Sequence, residues 1–304
     1  IRETIITDLD HPAPIHQTIA ETIEQTYTDT LSDYHETLMT HWREAHNLQQ
    51  ELHYLKHVVH RWLQYDARYR DALSLLSRAD EIITEQANVD TDSETQVELL
   101  TLKGDAFQRL GQFKDADDAY HEAEQYVTTF SNPTLHAELL KGRANTLYML
   151  GQADEAMQVL EDVIVIQREI DNSETVQQGL SSSLNDLGIM YTHQFRLEDA
   201  HTLITEAITI REALQDQRGL ANALGSLGML EARQDNTDDA LRHMTQSLEI
   251  REQIGDFQGL AHSNNMLGGL QKMMGHLDTS QQYFEESLAI CRAIGDQFGM
   301  SSNL

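Results

Sequence analysis

A period of 40 residues runs through the second half of the chain and confines the fold more than any other feature does. Leu187-Gly188, Leu227-Gly228 and Leu267-Gly268 stand 40 residues apart. Ala200, Ala240 and Ser280 follow 12 residues behind those glycines, Ile204, Met244 and Phe284 four residues later, then Ala207, Ser247 and Ser287. The connecting segments recur as well. Ile210-Arg211-Glu212, Ile250-Arg251-Glu252 and Ile290-Cys291-Arg292 precede Gly219-Leu220, Gly259-Leu260 and Gly299-Met300. A fixed period of this size marks stacked supersecondary units. Each unit reads as two amphipathic helices, and one pair cannot bury its apolar face alone, so the pairs must stack.

The small residues carry the packing. Helix axes that approach to about 8–10 Å need short side chains at the closest point. Gly188, Gly228 and Gly268 are expected to mark that point mid-helix, with Ala200 and Ala240 meeting them from the second helix. Leu187, Leu203 and Ile204 are expected to fill the space between neighbouring pairs. The frame continues backwards through Ala144, Leu147, Gly151, Ala156, Leu160 and Val163, and before that through Gly104, Phe107, Gly111, Ala116, Tyr120 and Ala123. Two steps of 44 residues place extra residues near Asn172 to Thr175 and in the run from Asn88 to Ser93. Leu63, Tyr69, Ala72, Leu76 and Ala79 fit one earlier unit. The expected fold is therefore an all-α, right-handed superhelical solenoid of antiparallel pairs. About six pairs would fill residues 50–304, with a truncated seventh beginning at Gly299, behind helical junction or capping helices in residues 1–49. The cut end is a candidate for self-association.

Composition narrows the function. Three prolines and 6% aromatics suit helices better than a sandwich or barrel. A formal charge of −29 disfavours nucleic acid and anionic membranes as partners. No apolar run approaches the roughly 18 residues that span a bilayer. The single cysteine, Cys291, excludes an intrachain disulfide and points to a reducing, cytoplasmic setting. No phosphate loop, Gly-x-Ser-x-Gly, His-Glu-x-x-His or Cys-x-x-Cys is present. The segment thus reads as non-catalytic, with no cofactor and no metal.

These columns resemble the tetratricopeptide repeat family, most specifically over Phe107 to Ala123 and Leu187 to Ser287. The 40-residue period is similar to its longer-repeat subgroup. The family's early aromatic is absent where Leu184, Leu224 and Asn264 stand, and so is its proline after the second helix. The first sixty residues differ in character: 8 of the 15 histidines lie at or before His60, and no glycine precedes Gly104. Ile1 to Ile5, the stretch from Ile15 to Glu24, His41-Trp42-Arg43-Glu44-Ala45 and Leu52-His53-Tyr54-Leu55 resemble the junction between winged helix and repeats in bacterial STAND-class signalling NTPases. That resemblance implies an NTPase upstream of Ile1, so that the chain is a piece of something larger.

Several residues invite sharper readings. His53, His57 and His60 share a helical face and could ligate zinc, but no cysteine lies near and Glu51 alone is an acid at ligand spacing, and a half-buried polar stripe is the expected role. Cys291 occupies the column of Arg211 and Arg251 and is expected to be an inert, partly exposed thiol. Met229, Met266, Met273 and Met274 read as core filler, except that Met229 and Met273 fall on the binding face. The pairs Asp117-Asp118, Asp238-Asp239 and Glu285-Glu286 suit helix starts and outward faces better than acid–base chemistry.

First helices line the inside of such a stack, and the family resemblance implies ligands there. Counting from the glycine column, the inward residues of the last three repeats are Ser182, Asn185, Ile189 and His193, then Asn222, Gly225, Met229 and Arg233, then His262, Asn265, Gly269 and Met273. Asparagine offers donor and acceptor together, which suits a peptide backbone, and a helix interior gains little from it. Earlier repeats present Glu98, Thr101, Asp105 and Arg109, then Glu138, Lys141, Asn145 and Tyr148, a more acidic lining. A bound segment is expected to place a basic part there and a polar or acidic part near Arg233. The reading is a protein- or peptide-binding sensor or scaffold, expected to be the sensing part of a larger STAND-type signalling protein. A stand-alone adaptor, or a repeat domain fused to a downstream enzyme such as a protease, are the alternatives.

Overall fold

A computed structural model of the chain describes residues 12–85, 92–127, 132–170 and 173–294. Among these the fold is all-α, with 14 helices and no strand. They divide into two compact units, one up to Gln152 and one from Ala153. The expected helix at Gly299 to Leu304, the stretch Ile1 to Ile5, the run 88–91 and Asn172 lie outside the described residues.

The first unit holds α1 (Ala13–Thr26), a 3-10 segment (Thr28–Tyr34), α2 (His35–Glu44), α3 (Leu48–Arg61), α4 (Tyr69–Glu85), α5 (Ser93–Arg109), α6 (Phe113–Val127) and α7 (Pro133–Met149). Side chains of Asn47, Asp92 and Asn132 cap α3, α5 and α7 by accepting from the backbone N–H of Gln50, Thr95 and Leu135. Ala20, Leu38, Trp42, Leu55, Leu76 and Ala106 belong to one core, so the helices before Gln50 share apolar packing with those after it. Several polar groups built into it are paired. Glu24 accepts from Trp42 Nε1 at 2.9 Å and from the Tyr54 hydroxyl at 2.7 Å. Glu51, fully buried, holds Arg43 at 2.7 Å and Arg78 at 3.3 Å. Farther along, buried Tyr120 lies flat against two glycines: a Cβ on Gly104 would come within 2.5 Å of its ring, and one on Gly142 within 2.7 Å.

The second unit begins with α8 (Ala153–Glu169). Three pairs follow: α9 (Glu174–His193) with α10 (Leu197–Ala213), α11 (Gln217–Arg233) with α12 (Thr237–Ile254), and α13 (Phe257–Met273) with α14 (Leu277–Ile294). Ser173, Asp216 and Asp256 cap the first helices of the pairs. Each pair turns through one left-handed residue, at Phe195, Asp235 and Gly275; Gly111 does the same between α5 and α6 in the first unit.

The glycine column is a close approach, met by the alanine column and, nearer still, by the large residue four positions on. A Cβ on Gly188 would lie 2.6 Å from the Ile204 side chain, one on Gly228 2.7 Å from Met244, and one on Gly268 2.9 Å from Phe284. The large residue sits over the glycine inside the pair, and Met244 also shares one core with Leu267 and Leu270 of the next pair. The alanine column contributes its backbone: Ala240 O lies 3.0 Å from the Gly228 Cβ position, and Ser280 Oγ donates to Gly268 O at 2.8 Å. Cys291 departs from expectation, being buried at 1% exposure instead of partly exposed; its small apolar side chain packs as a hydrophobe where the earlier repeats carry arginine. No described helix is long and apolar enough to cross a membrane.

Candidate binding groove

The first helices of the three pairs in the second unit enclose an open cavity of about 430 Å³. Seven of the residues singled out in the sequence line it: Ser182, Asn185, Ile189 and His193 from α9, Asn222 and Met229 from α11, and His262 from α13. Three do not. The Arg233 guanidinium lies 5.3 Å from the exposed Phe195 ring, Met273 points to solvent at 60% exposure, and Asn265 is half-buried outside the lining. Gly225 lies against Ser247 and Met266, and Gly269 faces open space.

The sequence pattern did not reveal two arginines that rise into the groove from second helices. Arg211 on α10 pairs with Asp216 and donates to the Gln178 carbonyl at 2.8 Å. Arg251 on α12 is 3% exposed, and its Nη2 donates to Asn222 Oδ1 at 2.6 Å. Each crosses the start of the next first helix over a glycine, Arg211 over Gly219 and Arg251 over Gly259, where a Cβ would overlap the arginine. The signal is present in the sequence as an arginine followed eight residues later by glycine, twice, 40 residues apart. By themselves those columns mark only the period.

Two polar atoms at the groove are buried without a hydrogen-bond partner, Asn185 Oδ1 and Arg251 Nε. Each carries the desolvation cost of an unmade bond. Asn222, expected to stand free for a ligand, is engaged by Arg251 instead. His262 stands at the groove mouth, reachable by solvent yet walled by its neighbours. Desolvation holds its pKa below the usual histidine value, with the Arg251 charge adding to the effect. His193 is lowered first by desolvation and then by Arg233. Desolvation also lowers the Arg251 pKa, with nearby Asp256 opposing and Arg218 reinforcing.

In the first unit the acidic inward residues are partly neutralised. Glu98 pairs with Lys56 at 2.5 Å, and Asp105 accepts from the Tyr120 hydroxyl at 2.6 Å. Desolvation raises the pKa values of both Asp105 and Glu138. His53 and His57 form an edge-to-face pair, and His57 stacks on His35 with centroids 4.8 Å apart. Among the described residues no group of three or more metal-ligating side chains is assembled.

Residues 219–293 match a tetratricopeptide repeat family model, and residues 180–214 match a second model of the same description. No curated protein matches the sequence. Among solved structures, a Rap protein complexed with Competence and Sporulation Factor aligns at a TM-score of 0.69 with 14% identity, over 96% of this chain and 80% of its own. The Rap conjugation gene regulator of the plasmid pLS20, in complex with the Phr* peptide, aligns at 0.62 with 14% identity, over 82% of this chain and 78% of its own. A Signal Transduction ATPase with Numerous Domains with a tetratricopeptide repeat sensor, from Pyrococcus horikoshii, aligns at 0.63 with 12% identity, over 95% of this chain and 45% of its own. At these identities the likeness shows the fold. The two family matches cover residues 180–214 and 219–293, less than half of the chain.

Proposed function

We propose that the chain is a protein- or peptide-binding sensor or scaffold domain, non-catalytic itself, that holds an extended segment along the first helices of its second unit. One observation carries this reading. Asn185 Oδ1 and Arg251 Nε, an acceptor and a donor, are both buried, both unpartnered and both in residues lining one cavity. A peptide main chain supplies the complementary donor and acceptor at every residue. The solved relative that holds a peptide agrees with it. The finer reading is the ligand-sensing part of a larger cytoplasmic STAND-type signalling protein, with residues 1–49 as a junction ahead of the repeats. It is supported by the stretch His16 to Glu24, here on α1, and by the likeness to the Pyrococcus sensor.

The test is selection of displayed random peptides on this chain, followed by titration of the winners against Asn185→Leu. That change removes the orphaned acceptor and keeps the number and branching of the side-chain heavy atoms. Replacing an unsatisfied buried polar atom by an apolar group is nearly neutral or stabilising. Binding should therefore weaken at least tenfold, about 1.4 kcal/mol, while the melting temperature holds or rises. Wild-type affinity in the variant would place the bound segment elsewhere. A nucleotide-binding domain encoded upstream would support the finer reading, and its absence from the full gene would remove it.

A further inference from the structure

We propose that His16 and His41 form a proton-sensitive latch, which keeps α1 docked on α2 at neutral pH and releases it in mild acid. The two rings meet through like atoms. His16 Nδ1 lies 2.8 Å from His41 Nδ1, with the ring centroids 5.0 Å apart. A neutral imidazole presents one N–H and one lone pair, so one ring donates and the other accepts. A first added proton charges the donor ring and leaves the bond in place, strengthened by the charge. A second proton takes the acceptor's lone pair. Two N–H groups and two positive charges then face each other, and the bond is lost. The latch is independent of what the groove binds.

α1 has a thin apolar hold, which gives the polar ties their weight. Ala20 is its buried residue, and Ile23 packs partly buried against the same core. By contrast α3 buries Leu52, Leu55, Val58 and Val59. A helix with so little burial belongs to the part of a fold that opens first. Besides the histidine pair, Glu24 ties α1 down through Trp42 and Tyr54. The charges around the pair are mostly engaged elsewhere. On α1, Glu21 accepts from Gln17. On α2, Glu36 pairs with Arg68, and Arg43 with Glu51 of α3. Asp29 and Asp33 lie in the 3-10 segment, and His46 follows α2. Glu44 is the acid that acts on His41, and it is outweighed: desolvation, then the His16 charge, lower the His41 pKa from 6.5. With the folded value below the unfolded one, docking is intact above 6.5 and is lost as pH falls toward the lowered value.

The chain's two tryptophans make the test direct. Trp42 donates to Glu24 of α1, whereas Trp62 lies at the end of α3 under the Arg68 guanidinium. Their indole N–H signals and the imidazole nitrogens are followed by ¹⁵N NMR from about pH 8 to about pH 5, the span in which imidazoles change charge. The Trp42 signal should move as the histidine pair takes its second proton, while Trp62 holds. Over the same span the protection of α1 amides against hydrogen exchange should fall at least tenfold. His16→Asn keeps a hydrogen-bonding group near the place of Nδ1 and cannot titrate, so it should abolish that fall. If both tryptophans move together, the event is unfolding of the unit and the latch is wrong. It is wrong too if Trp42 and α1 stay unmoved once both rings are charged, or if the variant opens as the unmodified chain does. Should the asparagine variant already stand open at the start of the titration, the unmodified chain decides. There α1 must open with the second proton of the pair; opening with the first, or with neither, overturns the proposal.

Discussion

At the scale of single residues, glycine in a helix interior costs roughly 1 kcal/mol relative to alanine, and the second unit carries three in one column because side chains and carbonyls cover them. Gly228→Leu should destabilise by about 1–3 kcal/mol, since Ala240 O is backbone and cannot move aside as the Met244 side chain can. Thermal unfolding checks this, and an unchanged melting temperature would contradict the packing. The turns allow an opposite change. Asp235 adopts a φ of 61° where equivalent turns use Gly111 and Gly275. A left-handed non-glycine residue costs about 1–2 kcal/mol, part of which glycine returns as chain entropy. Asp235→Gly should therefore stabilise by about 0.5–1 kcal/mol, seen as a rise in melting temperature. The small-residue columns were legible because a repeated exception to helix propensity announces itself. Arg251 was not, because arginine is rarely buried unless paired and its partner Asn222 lies on the preceding helix, 29 residues away.

At the scale of elements, α1 to α4 form a core with ionic and aromatic groups built into it. Glu51→Gln keeps the shape and removes the charge that gathers Arg43 and Arg78. Hydrogen bonds to charged groups contribute roughly 1.5–3 kcal/mol each. Because both arginines are partly exposed, we expect a loss at the lower end, about 1.5 kcal/mol, measured by denaturant unfolding. The histidines add a pH dependence. Desolvation is the largest cause lowering His35, His53 and His57 from 6.5. Neighbouring histidines lower His35 and His57 further, Lys56 lowers His53 and His57, and Arg61 lowers His35; Glu24 and Glu98 oppose. With folded values below the unfolded one, the unfolded state takes up protons first as pH falls. Stability should be intact above 6.5 and decline from there toward the lowered folded values. His57→Gln should flatten that decline, and an unchanged pH profile of the melting temperature would refute the assignment. A histidine stripe on α3 is visible in the sequence. His35 of α2 stacked against it is not, because only tertiary packing brings the two helices together.

At the scale of the whole molecule, −29 over 304 residues is a large net charge of one sign. Self-repulsion of that kind destabilises compact states and is screened within about 10 Å at 0.1 M salt. Raising sodium chloride should therefore raise the melting temperature, and a fall would show that specific ion pairs outweigh the general repulsion. The fold class was legible at this scale from the period alone, since a 40-residue repeat leaves few all-helical solutions. The groove was legible in part. Counting from the glycines places Asn185, Ile189 and Met229 on one cavity, but such a count follows first helices only and passes over side chains arriving from second helices.

The arginine that crosses to the next pair also determines where such a chain can be cut and rejoined. Arg211 needs Gly219, and Arg251 needs Gly259, each contributed by the following pair. A helix pair is therefore not the exchangeable cassette it resembles. A graft joined between Arg251 and Gly259 would set an arginine against whatever residue the donor repeat carries there. A joint at the left-handed turn, at Phe195 or Asp235, keeps every arginine with its own glycine, so recombination of these repeats should succeed in segments that start and finish halfway through a pair.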